Sequence, residues 1–133
     1  MNKNILYLII LLVIYFLFFL RKKHKIYGKV SKNNNEIKRG LMFRRNKLRY
    51  NEGMLFKMHY QNNSMWMKNT YIPLDVIFLD HNMVIVGYVE DTVPLSLIPI
   101  SINKKSKYVL EMNSGSIRLH NMKISDRIMF KEN

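Results

Sequence analysis

Residues 5–20, ILYLIILLVIYFLFFL, form an uncharged apolar run with no polar face, and a basic, polar stretch follows at once. A helix apolar all round faces lipid more readily than a core. At 1.5 Å per residue the run reaches roughly 24 Å, short of a ~30 Å hydrocarbon layer unless Lys3, Asn4, Arg21 and Lys22 snorkel. Residues 18–22 offer none of the small side chains that a leader peptide needs at its cleavage site, so the run reads as one uncleaved transmembrane helix. Residues 1–25 are therefore expected to be a membrane anchor with its basic flank, and 26–35, polar and rich in Lys and Asn, a flexible tether.

The folded part is expected to occupy residues 36–133. Ile37, Leu41 and Leu48 fall at helix-like spacing behind Asn35 as an N-cap. Residues 53–60, 74–79, 83–89, 107–112 and 127–131 read as strands. Asp80-His81-Asn82 turns one hairpin, whose strands are apolar on both faces. Pro73 holds Ile72 extended, Pro94 and Pro99 mark an exposed loop, and residues 117–122 allow a short helical turn. The prediction is a mainly β (α+β) domain, a compact small barrel or half-barrel with one or two short helices, preceded by one transmembrane helix.

Charge sharpens this picture. The net +13 is concentrated between Arg21 and Arg49, where twelve Lys and Arg meet the single acid Glu36; from Tyr50 onward nine bases face eight acids. A nearly neutral domain body argues against nucleic acid as partner, and a basic stem beside an apolar helix argues for an anionic lipid surface. With one positive side chain, Lys3, before the helix and at least four soon after it, the positive-inside rule puts the domain on the cytosolic side. The chain has no cysteine, which removes thiol nucleophiles, thiolate metal sites and disulfides together.

The candidate chemistry lies around Trp66-Met67-Lys68-Asn69-Thr70 and Ile72-Pro73-Leu74-Asp75, where a cation, a carboxylate and polar groups sit among bulky apolar side chains. Together with Arg39-Gly40-Leu41-Met42-Phe43-Arg44 and Tyr108-Val109-Leu110-Glu111, this block resembles the core of domain of unknown function 192 over roughly residues 39–128. The resemblance implies a small β domain, and members often carry an export-type N-terminal segment, which points away from the cytosol. Where the family usually has Gly-Asp near its end, this chain has Ser125-Asp126.

Trp66, Lys68, Asn69, Asp75 and Glu111 would line a small polar cleft that Arg39 reaches, with Lys68 and Asp75 meeting across the short loop between them. The competing structural account has Asn69 and Thr70 forming a turn, Asp75 capping backbone donors and Trp66 in the core; Glu111, opposite Leu110 and Met112 on its strand, would then meet solvent. His24, His59, His81 and His120 lack metal-ligand spacing, and Met54, Met58, Met65 and Met67 are better core filling than a copper site, so no metal or cofactor is implied. The expected function is a membrane-anchored, non-enzymatic binding module for a small polar ligand or peptide. The alternatives are a hydrolase using Asp75 or Glu111 with Lys68, and a structural membrane protein.

Overall fold

The computed structural model describes residues 1–133. Helix α1 spans Lys3–Phe19, 17 residues, and the Asn2 side chain accepts a hydrogen bond from the Asn4 N–H at 3.0 Å as its cap. Every residue of α1 is exposed. No helix of the structure is long and apolar enough to cross a membrane, so the expected transmembrane helix is corrected to a shorter apolar helix whose residues are all exposed.

The chain then enters strand β1, Lys23–Ser31, where the basic flank of the anchor and, from residue 26, a flexible tether were expected. Lys23, Lys25 and Lys29 point outward while His24, Ile26 and Gly28 are buried, a period-two pattern hidden by the charge. β1 lies inside the sheet, parallel to both of its neighbours. Gly28 pairs with Gly53 across that junction, and a Cβ on Gly28 would stand 1.8 Å from the Gly53 carbonyl oxygen. The backbones can approach there only because the side chain is absent.

The other strands are β2 (Glu52–Asn62), β3 (Leu74–Leu79), β4 (Ile85–Val89), β5 (Lys105–Asn113) and β6 (Arg127–Glu132), in the order β4-β3-β5-β2-β1-β6. The two outer strands curl towards each other. Val84 bridges Arg127, the Ile85 N–H donates to the Asp126 carbonyl at 2.8 Å, and the Ile128 N–H donates to the Met83 carbonyl at 2.9 Å. Such curling hides sheet edges that would otherwise expose unpaired backbone groups. The result is the expected mainly β half-barrel with few short helices.

Both faces of the sheet are covered. The inner face holds Ile26, Leu55, Ile77, Leu79, Leu110 and Met112, closed by Ile117 and Met122 around helix α3, Ser116–Leu119. The outer face holds Met54, Phe56, Val76, Phe78 and Val109 and is covered by Leu41, Leu48, Met67 and Ile72. Helix α2, Asn34–Arg39, opens this cover. It is shorter than the sequence suggested and is capped by Asn33, whose side chain accepts from the Glu36 N–H at 2.9 Å while the Glu36 carboxylate accepts from the Lys32 N–H at 3.0 Å. This reciprocal arrangement resembles a capping box. Gly40, at φ 47°, ends the helix and lets the chain settle on Phe56, whose ring would lie 3.3 Å from an added Cβ.

Candidate functional site

Strand alternation on β3 separates residues that are close in sequence. Leu74, Val76 and Phe78 belong to the outer core and Ile77 and Leu79 to the inner one, so Asp75 points to the inner face. It is fully buried there, with Oδ1 accepting the Asp91 N–H and Oδ2 accepting the Ile117 N–H, each at 2.9 Å. These bonds fasten the β4 exit and the start of α3 to β3. Asp75 is thus a buried brace with both oxygens engaged.

Lys68 does not reach it. Its side chain is exposed, with Nζ 5.0 Å from the centre of the Trp66 ring, and no ion pair joins it to Asp75. The expected Lys68–Asp75 pair is therefore absent: the short loop returns the chain to β3 in a register that turns the carboxylate away. The loop itself is a turn, with Asn69 at φ 53°, the Thr70 hydroxyl donating to the Lys68 carbonyl at 3.1 Å, and the Asn69 carbonyl accepting from the Phe43 N–H at 2.8 Å. Asn tolerates that left-handed conformation better than most residues.

Glu111 lies on the other face. It sits on β5 between Met54 of β2 and Val76 of β3, opposite Leu110 and Met112 as its spacing implied. Its face does not meet solvent, however, and the residue is 4% exposed. Burial alone pushes its carboxyl up to about 8, with no charge or hydrogen bond acting in the other direction. The group is consequently neutral near pH 7 and able to donate a hydrogen bond. It borders a void of about 20 Å³ shared with Lys38, Arg39, Gly40, Trp66 and Thr70. That is room for one water-sized group.

Beyond these walls opens a cleft of about 600 Å³, lined by Asn35, Lys38, Arg39, Met42, Phe43, Trp66, Lys68 and Asn69. Trp66 is 47% exposed, a wall of the cleft and not part of the core. Four of the six residues singled out by the sequence, Arg39, Trp66, Lys68 and Asn69, therefore gather around one opening. Glu111 lies beneath it, and Asp75 is on the far side of the sheet. Asn35, Lys38, Met42 and Phe43 were not singled out, although their closeness in sequence to Arg39 was an available signal. The lining of the cleft carries no acid, and of the two carboxyl groups considered beside Lys68 for a hydrolase, Asp75 is spent on backbone N–H groups on the other face of the sheet.

No group of three His, Cys, Asp or Glu side chains is placed to hold a metal ion. Met54 and Met67 are core residues, with Met58 and Met65 packed against them. A separate buried contact, missed in the sequence, joins His24 Nε2 to Asp126 Oδ2 at 2.8 Å. Asp126 also accepts from the Lys123 N–H at 3.0 Å, and Ser125 before it stands at φ 80°. A glycine would adopt that conformation without strain, so the turn survives Ser125 at some cost.

No curated protein matches the chain. Among solved structures it is similar to a protein from Sinorhizobium meliloti 1021 described as a candidate transcription regulator, at 34% identity and TM-score 0.72 over 75% of this chain and 78% of that one. It is also similar to a protein of unknown function from Novosphingobium aromaticivorans DSM 12444, at 31% identity and TM-score 0.71 over 75% of this chain and 71% of that one. The model of the DUF192 family, described as Uncharacterized ACR, matches residues 18–130 and so takes in β1. With the fold, the motif residues and the match in agreement, the chain belongs to the DUF192 family.

Proposed function

We propose that this protein is a membrane-tethered, non-enzymatic binding module whose cleft takes a small polar ligand. The observation that carries this is Glu111: the residue is only 4% exposed, its carboxyl makes no hydrogen bond within the protein and its oxygens are not fully sealed off, so a ligand entering the opening can supply the missing partner. The aromatic wall of Trp66 and the cations Arg39 and Lys68 at the opening are the groups a polar cleft uses to orient what it binds. Native mass spectrometry of the full-length protein is the test. A bound small molecule is expected that is lost in Glu111→Gln; a wild type that carries nothing, and whose Trp66 fluorescence answers to no added metabolite mixture, would refute the module.

The tether rests on α1. It is exposed and apolar on every side, whereas a helix lying at an interface needs a polar face, so embedding it in hydrocarbon removes the exposed surface on all sides. At about 25 Å it is shorter than a typical bilayer core, so it enters the hydrocarbon as an anchor that does not cross it. The excess of bases after the helix favours the cytosolic side and anionic lipid. Alkaline carbonate extraction should leave the intact protein in the membrane pellet. Its release into the supernatant would sink the tether.

A further inference from the structure

The void beside Glu111 and the cleft outside it differ in what they demand of a ligand. The void holds one water-sized group and presents a carboxyl with no partner. The cleft shares Lys38, Arg39 and Trp66 with the void, adds Lys68, and has no acid in its lining. None of Lys38, Arg39 and Lys68 is engaged in an ion pair. A single ligand that satisfies both must therefore bring a small donor to the floor and negative charge to the rim.

Resting on the cleft reading, we infer that the ligand is a small zwitterion, whose primary ammonium enters the void against Glu111 while its anionic group rests among Lys38, Arg39 and Lys68. A primary ammonium has the size of a water molecule, whereas a trimethylated one does not fit the volume. The carboxylate and ammonium make a charge-assisted contact in a water-poor place, where each supplies what burial took from the other. The same chemistry occurs in a free amine-bearing phosphate and in a lipid headgroup.

Seating the ammonium also changes the protonation of the site. The charged groups facing Glu111 are few: α2 and its end contribute Lys38 and Arg39, while the strand neighbours Met54 and Val76 and the wall residues Trp66 and Thr70 do not ionise near neutrality. Lys29 on β1 contacts Glu36 at 3.9 Å instead. Glu111, neutral in the empty site, must ionise to pair with an ammonium, so binding releases a proton and strengthens as pH rises towards 8.

Isothermal titration of the full-length protein in detergent with glycerophosphoethanolamine, whose own groups do not titrate between pH 6 and 8, tests the inference. Binding is expected to be at least about tenfold tighter at pH 8 than at pH 6, to release close to one proton near pH 7, and to exceed that of glycerophosphocholine about tenfold. In Glu111→Gln, which keeps shape and hydrogen bonding, affinity should fall about tenfold and proton release vanish while the thermal midpoint does not fall. Nanodiscs of phosphatidylethanolamine against phosphatidylcholine form the second arm; selective binding there, without the soluble probe, identifies the lipid as the source. Glycerophosphocholine or inorganic phosphate binding equally well, with loss in Arg39→Ala but not in Glu111→Gln, overturns the zwitterion and leaves the cleft standing. Silence towards every probe in both arms, with no copurified mass, removes both.

Discussion

Asp75 and Glu111 are buried carboxyl groups on adjacent strands of one sheet, and they live under opposite conditions. On the inner face, Asp75 spends both oxygens on backbone N–H groups at 2.9 Å; on the outer face, Glu111 has neither a hydrogen bond nor an ion pair, and its carboxyl is pushed up to about 8. Burial by itself therefore says little about role. What separates them is satisfaction: a paired carboxylate holds the fold together, while an unpaired one is a standing cost beside an opening.

The sharpest way to break the comparison is Asp75→Ala. A buried donor, the Ile117 N–H, and a part-buried one, the Asp91 N–H, lose their acceptors, and the loss should be on the order of 3 to 5 kcal/mol, enough to unfold a domain of ordinary marginal stability. Circular dichroism during urea unfolding measures it; a loss below about 1 kcal/mol would show that water reaches those donors and that Asp75 is no brace.

Next in size is the pH dependence set by Glu111. Its folded-state value lies above the ordinary 4.5, so the folded protein binds the extra proton. The sign follows: stability is greatest below about 4.5, falls as pH rises between 4.5 and 8, and is level above, with the loss on the order of 3 to 5 kcal/mol from this group. Glu111→Gln should flatten that slope and be more stable than wild type at pH 8. Thermal unfolding from pH 5 to 9 checks both, and parallel curves for the two proteins would mean that Glu111 is better solvated than its burial indicates.

A smaller effect belongs to Lys68, which rests over Trp66 in the open. Lys68→Met should cost at most about 1 kcal/mol, the range of an exposed cation–π contact. In a double-mutant cycle with Asp75→Asn, the coupling should be within about 0.5 kcal/mol of zero. A coupling of several kcal/mol would restore the ion pair that the structure lacks.

Local pattern made much of the fold legible. Leu74–Leu79 and the strands around residues 53–60 and 107–112 announce themselves through β-branched and aromatic residues, and Pro73, Asp80 to Asn82 and Gly115 punctuate them. β1 was lost because its outward positions are lysines and its inward ones include His24 and Gly28, so composition masked a regular alternation. The site was half legible. Trp66, Lys68, Asn69 and Arg39 stand out by residue type and do share one cleft, but the short loop between Lys68 and Asp75 suggests a contact that the strand register excludes.

The amino-acid sequence by itself determined the period of each strand, the apolar helix at the amino terminus and which residues share a strand face, because these depend on neighbours along the chain. Only the tertiary structure decided that β1 belongs inside the sheet, that Asp75 turns towards the inner core, and that the face carrying Glu111 is covered by α2 and the loop from Met65 to Leu74. Whether a polar side chain on a known face meets water, a partner or neither depends on what packs over that face, and that is fixed by contacts between residues far apart in the chain.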